Sequence, residues 1–200
     1  MVNEGSLEEH ISREKILLEE RLNKLKKLEE KEIDAFGHKF DRTHTIKELH
    51  EQYGQIKEGE KLENEKIVIA GRIRSIRKHG KIIFCHIEDF SGRMQVCIEH
   101  NTVGKDFFDL FELINTGDFI GVHGYITKTQ RGELTVWAGK WEILSKSLRP
   151  LPDEWFGLKD TETRYRQRYV DMNLNRNSRD VFIKKSMIIS SIREFLNKNG

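Results

Sequence analysis

The order of apolar and polar positions predicts a long helix at the start of the chain. From Leu7 to Ile33 the sequence has no Pro or Gly, and leucines and isoleucines recur mostly at three- and four-residue steps. This spacing predicts one amphipathic helix with a single apolar stripe. Ser6, followed three residues later by Glu9, fits a capping box at its start. The stripe predicts that one face of the helix packs against another surface.

Alternating apolar runs in the middle of the chain predict a small barrel. A connector with a short helix around 46–53 comes first. The predicted elements that follow are strands at 66–77, 81–89 and 94–99, a helix at 104–114, and strands at 117–129 and 134–144. Three strands, a helix and two strands is the order of an OB-fold, a five-stranded Greek-key barrel. We favour this fold over a sandwich or an unrelated barrel, and the fold class is therefore mainly β with flanking helices (α+β).

Strand parity separates a core face from an outer face. In the second strand the aliphatic side chains alternate with Phe84, and in the third strand they alternate with Gln95 and Cys97, so these three are predicted to point outward. An outward ring offers a nucleic-acid base a stacking platform, and a Gln amide offers it a donor and an acceptor. The alternative for Phe84 is packing under the N-terminal helix. Cys85 and Cys97 are expected on opposite faces, without a disulfide.

Two charged residues near this face complete the candidate binding set. Arg77 is expected in the loop between the first two strands, where it could meet a phosphate or a base. Glu133 is expected at the foot of the fifth strand, where its carboxylate could accept from a base amino or imino group.

Composition narrows the class of protein. Charged residues make up 34% of the 200 residues, mean hydropathy is −0.65 and the formal net charge is +2. The sequence has no run of about 18 apolar residues and so predicts no membrane-spanning helix. Two cysteines are too few for a disulfide framework or a zinc site by themselves. We expect a cytoplasmic chain with free thiols, no metal site and no membrane partner.

Charge is unevenly distributed along the chain. Residues 1–35 have a net charge of −3, residues 36–145 are neutral and residues 146–200 have a net charge of +5. The basic end could face a polyanion, or its charges could simply be solvated. Four lysines of the first helix also allow two interpretations. They could contact a nucleic-acid backbone, or the helix could be docked on the body of the protein with these charges in solvent. The four lysines are Lys24, Lys26, Lys27 and Lys31.

The segment 145–173, SKSLRPLPDEWFGLKDTETRYRQRYVDMN, closely resembles the lysyl-tRNA synthetases. Residues 38–49, 70–96 and 132–137 are similar to the same family's pre-barrel segment and barrel. RPLP and YRQRYVD favour the lysine branch of the class IIb synthetases over the aspartate and asparagine branches. The resemblance implies domains at 1–64 (helix and connector), 65–145 (OB-fold anticodon-binding domain) and 146–200 (linker and start of a class II catalytic domain).

The resemblance also implies roles for individual residues. Phe84 matches the family's Phe that stacks on the central anticodon uridine, and Gln95 matches the Gln that helps to read the anticodon. Arg77 and Glu133 match two further anticodon-binding positions. The helix 182–200 resembles class II motif 1, which forms the dimer interface. Its expected interface residues are Phe182, Met187, Ile188, Ile192 and Phe195.

Several catalytic parts of the family find no match in these 200 residues. Motifs 2 and 3, the lysine pocket and the metal-binding carboxylates are absent, so we expect no catalytic residues, no cofactor and no aminoacylation by this chain. The full enzyme would use ATP and Mg²⁺ to activate lysine, charge tRNA(Lys) and form a homodimer. We expect a fragment of such a ligase; the alternatives are a stand-alone, non-catalytic RNA-binding module and, more weakly, a sequence-tolerant single-strand binder.

Overall fold

A computed structural model describes residues 4–37, 39–151 and 160–200, with side chains from residue 14 onward. Backbone contacts divide the chain into two compact units, Met1–Pro150 and Leu151–Gly200. Among the described residues, no helix is both long and apolar enough to cross a membrane.

Helix α1 spans Glu4–Glu30. Because Ser6 lies inside the helix, where the backbone cannot adopt the extended conformation of an N-cap, the predicted capping box is wrong. The predicted stripe is anchored near its C-terminal end, where Leu28 is fully buried and Leu25 packs against the core. Part of the stripe faces solvent, since Leu22 is 38% exposed, and the side chains of Leu7 and Ile11 lie outside the described part of the chain.

Helix α2 spans Ile46–Tyr53, as the sequence predicts. Its start is fixed by a capping box, in which Glu48 N donates to Thr45 Oγ1 at 3.3 Å and Thr45 N donates to Glu48 Oε2 at 2.7 Å. Its apolar side, Ile46 and Leu49, is completely buried and ties the connector to the barrel.

Five strands close a barrel in the order β1-β2-β3-β5-β4, which confirms the OB-fold. Their bounds are β1 Lys61–His79, β2 Ile82–Glu88, β3 Arg93–Glu99, β4 Phe119–Lys128 and β5 Leu134–Ser145. The pairing of β3 with β5 is parallel and the other four pairings are antiparallel. Strand β1 is longer than predicted at both ends, and its last residue pairs with Ile82 across a tight turn.

The inward positions of β2 and β3 form part of the barrel core, as parity predicts. Ile83, Cys85 and Ile87 are at most 2% exposed, and so are the inward residues of β3. One glycine in β1 and one in β4 allow close backbone contact. A Cβ at Gly124 would lie 2.0 Å from the carbonyl oxygen of Trp137, and one at Gly71 would lie 2.9 Å from that of Glu88.

The connection between β3 and β4 is more broken than the single predicted helix over 104–114. It consists of α3 (His100–Val103), α4 (Lys105–Leu110) and a 3₁₀ turn (Phe111–Leu113). Gly104 separates the two helices with a φ of +83°, a conformation that few other residues adopt. The predicted apolar positions still reach the core at Phe108, Phe111 and Ile114, whereas Phe107 is 44% exposed.

The second unit is helical in its described part. It contains α5 (Thr161–Arg166), α6 (Arg168–Leu174) and α7 (Arg176–Asn199). Helix α7 covers residues 182–199 of the predicted helix 182–200 and begins six residues earlier. Residues 152–159, the middle of the segment that resembles the synthetases most, lie outside the described residues.

Candidate nucleic-acid interface

Two rows of side chains cross the outer face of the barrel over β1, β2, β3 and β5. Strand register sets both rows, because each member is the cross-strand partner of the next. The first row is Ser75, His86, Gln95 and Thr135. The second row is Arg77, Phe84, Cys97 and Trp137, and it continues onto β4 at Tyr125.

Gln95 lies at the centre of the first row and is held on both sides. Its Nε2 donates to Thr135 Oγ1 at 2.9 Å, and its Oε1 accepts from Arg77 Nη2 at 3.3 Å. The side chain therefore has a set orientation, with the amide nitrogen toward β5 and the carbonyl oxygen toward β1.

The outer end of the first row contains a chain of three hydrogen-bonding groups. Ser75 Oγ lies 3.0 Å from His86 Nδ1, and His86 Nε2 lies 2.7 Å from Glu133 Oε1. Glu133 immediately precedes β5, at the position that the sequence predicts, and its side chain is 45% exposed. The carboxylate thus lies beside the row with one oxygen already engaged.

The second row combines a cation with aromatic rings. Arg77 is exposed, while Phe84, Trp137 and Tyr125 are half-buried. Cys97 lies between Phe84 and Trp137 and is fully buried. Burial raises the pKa of its thiol to about 12, so at neutral pH it is a small apolar spacer and not a nucleophile.

One expectation about this face is wrong. Arg77 does not lie in a loop: β1 continues to His79, and Arg77 pairs with Phe84 within the sheet. Gln95 and Cys97 lie on the outer face but are not exposed, at 5% and 0%. Parity predicts the face correctly, yet β3 is the middle strand between β2 and β5, and side chains of the neighbouring strands cover it.

The combined face can hold a planar base and contact its edge. Phe84 supplies a ring that keeps part of its surface open, and Arg77 supplies a fixed positive charge that can contact a phosphate or a base. Gln95 and Glu133 supply amide and carboxylate groups close by. These four predicted residues are brought together by β1, β2, β3 and the start of β5.

The three candidate lysines of α1 and Lys31, which directly follows the helix, differ in exposure. Lys26, Lys27 and Lys31 are exposed, whereas Lys24 is half-buried and its Nζ lies 3.5 Å from Glu20 Oε1. The helix is docked through Arg21, which donates to the carbonyl oxygens of Thr116 and Ser147 at 3.1 and 2.8 Å. These contacts to residues that flank β4 and β5 support the interpretation that α1 packs on the barrel. Contact between the exposed lysines and a nucleic-acid backbone stays a prediction.

The predicted dimer residues of α7 all lie on exposed surface. Phe182 is 37% exposed, and Met187, Ile188, Ile192 and Phe195 are between 53% and 66% exposed. Their role at an interface between two copies stays a prediction.

Sequence reasoning missed five residues of the face as site candidates, Ser75, His86, Thr135, Trp137 and Tyr125. Parity already places His86 next to Phe84 on the outer side of the second strand, and this is the signal that could have found it. In the described part of the chain, no cluster of three or more His, Cys, Asp or Glu side chains could hold a metal ion.

Comparison with known proteins agrees with the fold. Residues 67–144 match the tRNA anti-codon family, an OB-fold nucleic acid binding domain. Over 184 residues, 92% of the chain, the sequence is 48% identical to the lysine–tRNA ligase of Carboxydothermus hydrogenoformans. The chain is related to the lysine–tRNA ligases. Those of Enterococcus faecalis and Thermotoga maritima are 45% and 43% identical over 90% and 91% of the chain.

The chain spans about a third of the length of these relatives, 36% in each of the three. The match is consistent with the N-terminal portion of the ligases, as the sequence resemblance predicts. The assignments of individual anticodon-binding residues are not tested by these comparisons and stay predictions.

Proposed function

We propose that this chain binds the anticodon of a lysine-accepting tRNA through the outer face of its barrel. The observation that carries the proposal is the pair of cross-strand rows, which brings Arg77, Phe84, Gln95 and Glu133 onto one face of an OB-fold. The relationship to lysine–tRNA ligases supplies the identity of the tRNA.

The rows suggest how the anticodon is held. Lysine anticodons are rich in uridine, and pyrimidines stack weakly on one another, so they can be splayed onto a protein ring at low cost. Phe84 provides the ring, and the edge of the stacked base then lies within reach of the Gln95 amide. Arg77 neutralises backbone charge or contacts the base, and Glu133 accepts a hydrogen bond from a base donor.

The proposal extends to the reaction that such binding serves. In a lysine–tRNA ligase, lysine is activated with ATP in the presence of Mg²⁺ and transferred to the tRNA, and this chain would contribute recognition of the anticodon. The exposed apolar side of α7 is a suitable surface for a homodimer. Because charged tRNA is used in translation, we place the activity in the cytoplasm.

The test is binding of this chain to two tRNAs that differ only in their anticodon bases. At about 0.15 M salt, which suppresses non-specific attraction, we expect a clear loss of affinity when the lysine anticodon is replaced. Phe84→Ala should weaken binding of the lysine anticodon by about 1–3 kcal/mol. Equal affinity for both tRNAs would contradict the proposal and would favour a general RNA-binding module.

A matched control is available on the same barrel. Phe90 is 70% exposed in the turn between β2 and β3, outside the two rows. Phe90→Ala should leave the affinity unchanged. If both Phe variants lost affinity equally, Phe84 would have no special place in the site.

A further inference from the structure

His86 has two polar partners on the outer face of the barrel. Its Nδ1 lies 3.0 Å from Ser75 Oγ and its Nε2 lies 2.7 Å from Glu133 Oε1. The His86 side chain is 24% exposed and the Glu133 side chain is 45% exposed. The imidazole thus connects Ser75, in the second half of β1, to Glu133, which directly precedes β5.

The chemistry of these partners fixes the direction of each hydrogen bond. An ionised carboxylate can only accept, so the proton must be on Nε2, which donates to Glu133. In the neutral imidazole Nδ1 is then the acceptor and receives the hydroxyl proton of Ser75. Glu133 therefore selects this tautomer, and the Ser75 hydroxyl is compatible with it because it can donate to Nδ1.

The backbone at Glu133 is held independently of His86. Glu133 N donates to Thr129 Oγ1 at 3.1 Å, Thr129 N donates to the Glu133 carbonyl at 3.0 Å, and Thr135 Oγ1 donates to the same carbonyl at 3.1 Å. The turn therefore sets the position of the residue, whereas the direction of its carboxylate depends on His86. Among the described residues, Glu133 Oε2 has no hydrogen-bond partner.

We propose that His86 is a positioning residue for anticodon specificity, which holds Oε1 of Glu133 so that Oε2 points to a donor on a base edge. This inference rests on the proposed function. A uracil presents its N3–H as a donor, whereas a cytosine presents an acceptor at N3, which a carboxylate repels. A fixed Glu133 therefore discriminates between two pyrimidines that stack equally well on a ring, and a freely rotating Glu133 does so poorly.

The test uses anticodon stem-loops with the lysine anticodon and the same loops with single uridine-to-cytidine changes. The measured quantity is the ratio of the two Kd values for each protein. His86→Leu should lower this ratio by roughly tenfold at one anticodon position, the scale of one hydrogen bond to a charged group. His86→Gln, whose amide nitrogen can reach the place of Nε2, should restore most of the ratio.

Matched variants separate positioning from a general effect. His123 also pairs with a glutamate, Glu142, at 3.5 Å on a different part of the barrel, and His123→Leu should leave the ratio unchanged. In a Glu133→Gln background, His86→Leu should have no further effect, since the two residues act as one unit. If the Leu variant does not fold, His86→Asn, which keeps only the Ser75 contact, replaces it.

The results distinguish this inference from the proposed function. If the wild-type chain discriminates and Glu133→Gln abolishes the discrimination, but His86→Leu or its Asn replacement leaves the ratio intact, the positioning role is wrong and the proposed function stands. A wild-type chain that does not discriminate between the loops overturns both.

Discussion

The two units of the chain bury opposite kinds of side chain. In the barrel unit, apolar side chains from each of the five strands are buried, and the enclosed acid Asp118 is paired with Lys146. In the described part of the second unit, the buried side chain is an acid, Asp171 at 2% exposure, while α7 contains no buried residue. The barrel unit therefore buries apolar side chains in a core of its own. In the second unit, the apolar side chains of α7 are exposed to solvent.

The buried acids of the two units differ in the same way. Asp118 and Lys146 are both fully enclosed, with Oδ2 and Nζ 2.6 Å apart. Asp171 is held by Arg164 and Arg168 at 2.8 and 2.7 Å, and both arginines remain about one-third exposed. The Asp118–Lys146 pair lies inside the barrel unit, away from solvent. The ion pairs of Asp171 lie at the surface of the second unit, where the pair with Arg164 joins α5 to α6.

The largest effect is expected from breaking the enclosed pair. Asp118→Ala leaves the Lys146 ammonium buried without its carboxylate, and burial already lowers the pKa of Lys146 despite the opposing effect of Asp118. We expect the free energy of unfolding to fall by about 3–5 kcal/mol. Urea denaturation followed by tryptophan fluorescence measures it. Asp109→Ala, at an exposed position of α4, is the control, and an equal loss in both variants would contradict the enclosed pair's importance.

The second test compares an isoleucine from each unit. Ile98 is completely buried in β3, and Ile98→Ala should cost about 2–5 kcal/mol because it leaves a cavity in the core. Ile188 is 60% exposed on α7, and Ile188→Ala should change stability by no more than about 0.5 kcal/mol. The same denaturation experiment measures both. A large loss for Ile188→Ala would mean that the α7 face is covered in solution.

The sequence predicts the barrel well because its signals are local. Alternation over a few residues places Ile83 and Met94 in the core, and both are at most 2% exposed. The short helix α2 is predicted for the same reason, since its cap and apolar positions lie within nine residues.

Contacts between distant residues cannot be predicted in this way. Parity predicts the outer face for Gln95, but its burial depends on the parallel pairing of β3 with β5, which brings Thr135 next to it. Glu133 and His86 are 47 positions apart, and only closure of the barrel makes them partners. The sequence therefore predicts which residues face the ligand better than it predicts how they hold one another.

The smallest loss from changing a buried side chain is expected in the second unit, from Asp171→Asn. Burial by itself raises the pKa of Asp171, but hydrogen bonds from Arg164, Ser178 and Arg168 outweigh it, so the folded pKa lies below the ordinary value of 3.8. The stabilisation from the charged form is therefore complete above that ordinary value and is lost as the pH falls through the lower folded pKa. At pH 7 the Asn variant should lose on the order of 1 kcal/mol, the scale of one net hydrogen bond.

The measurement is an acid titration of helical NMR chemical shifts in α5 and α6. The wild-type shifts should begin to move toward coil values below pH ~4, where an ordinary aspartate becomes protonated, and the Asp171→Asn shifts should depend less on pH. Asp180→Asn, in α7, is the matched control and should follow the wild type. Identical titrations for all three proteins would mean that Asp171 does not hold these helices together. The second unit would then depend on whatever covers the apolar side of α7.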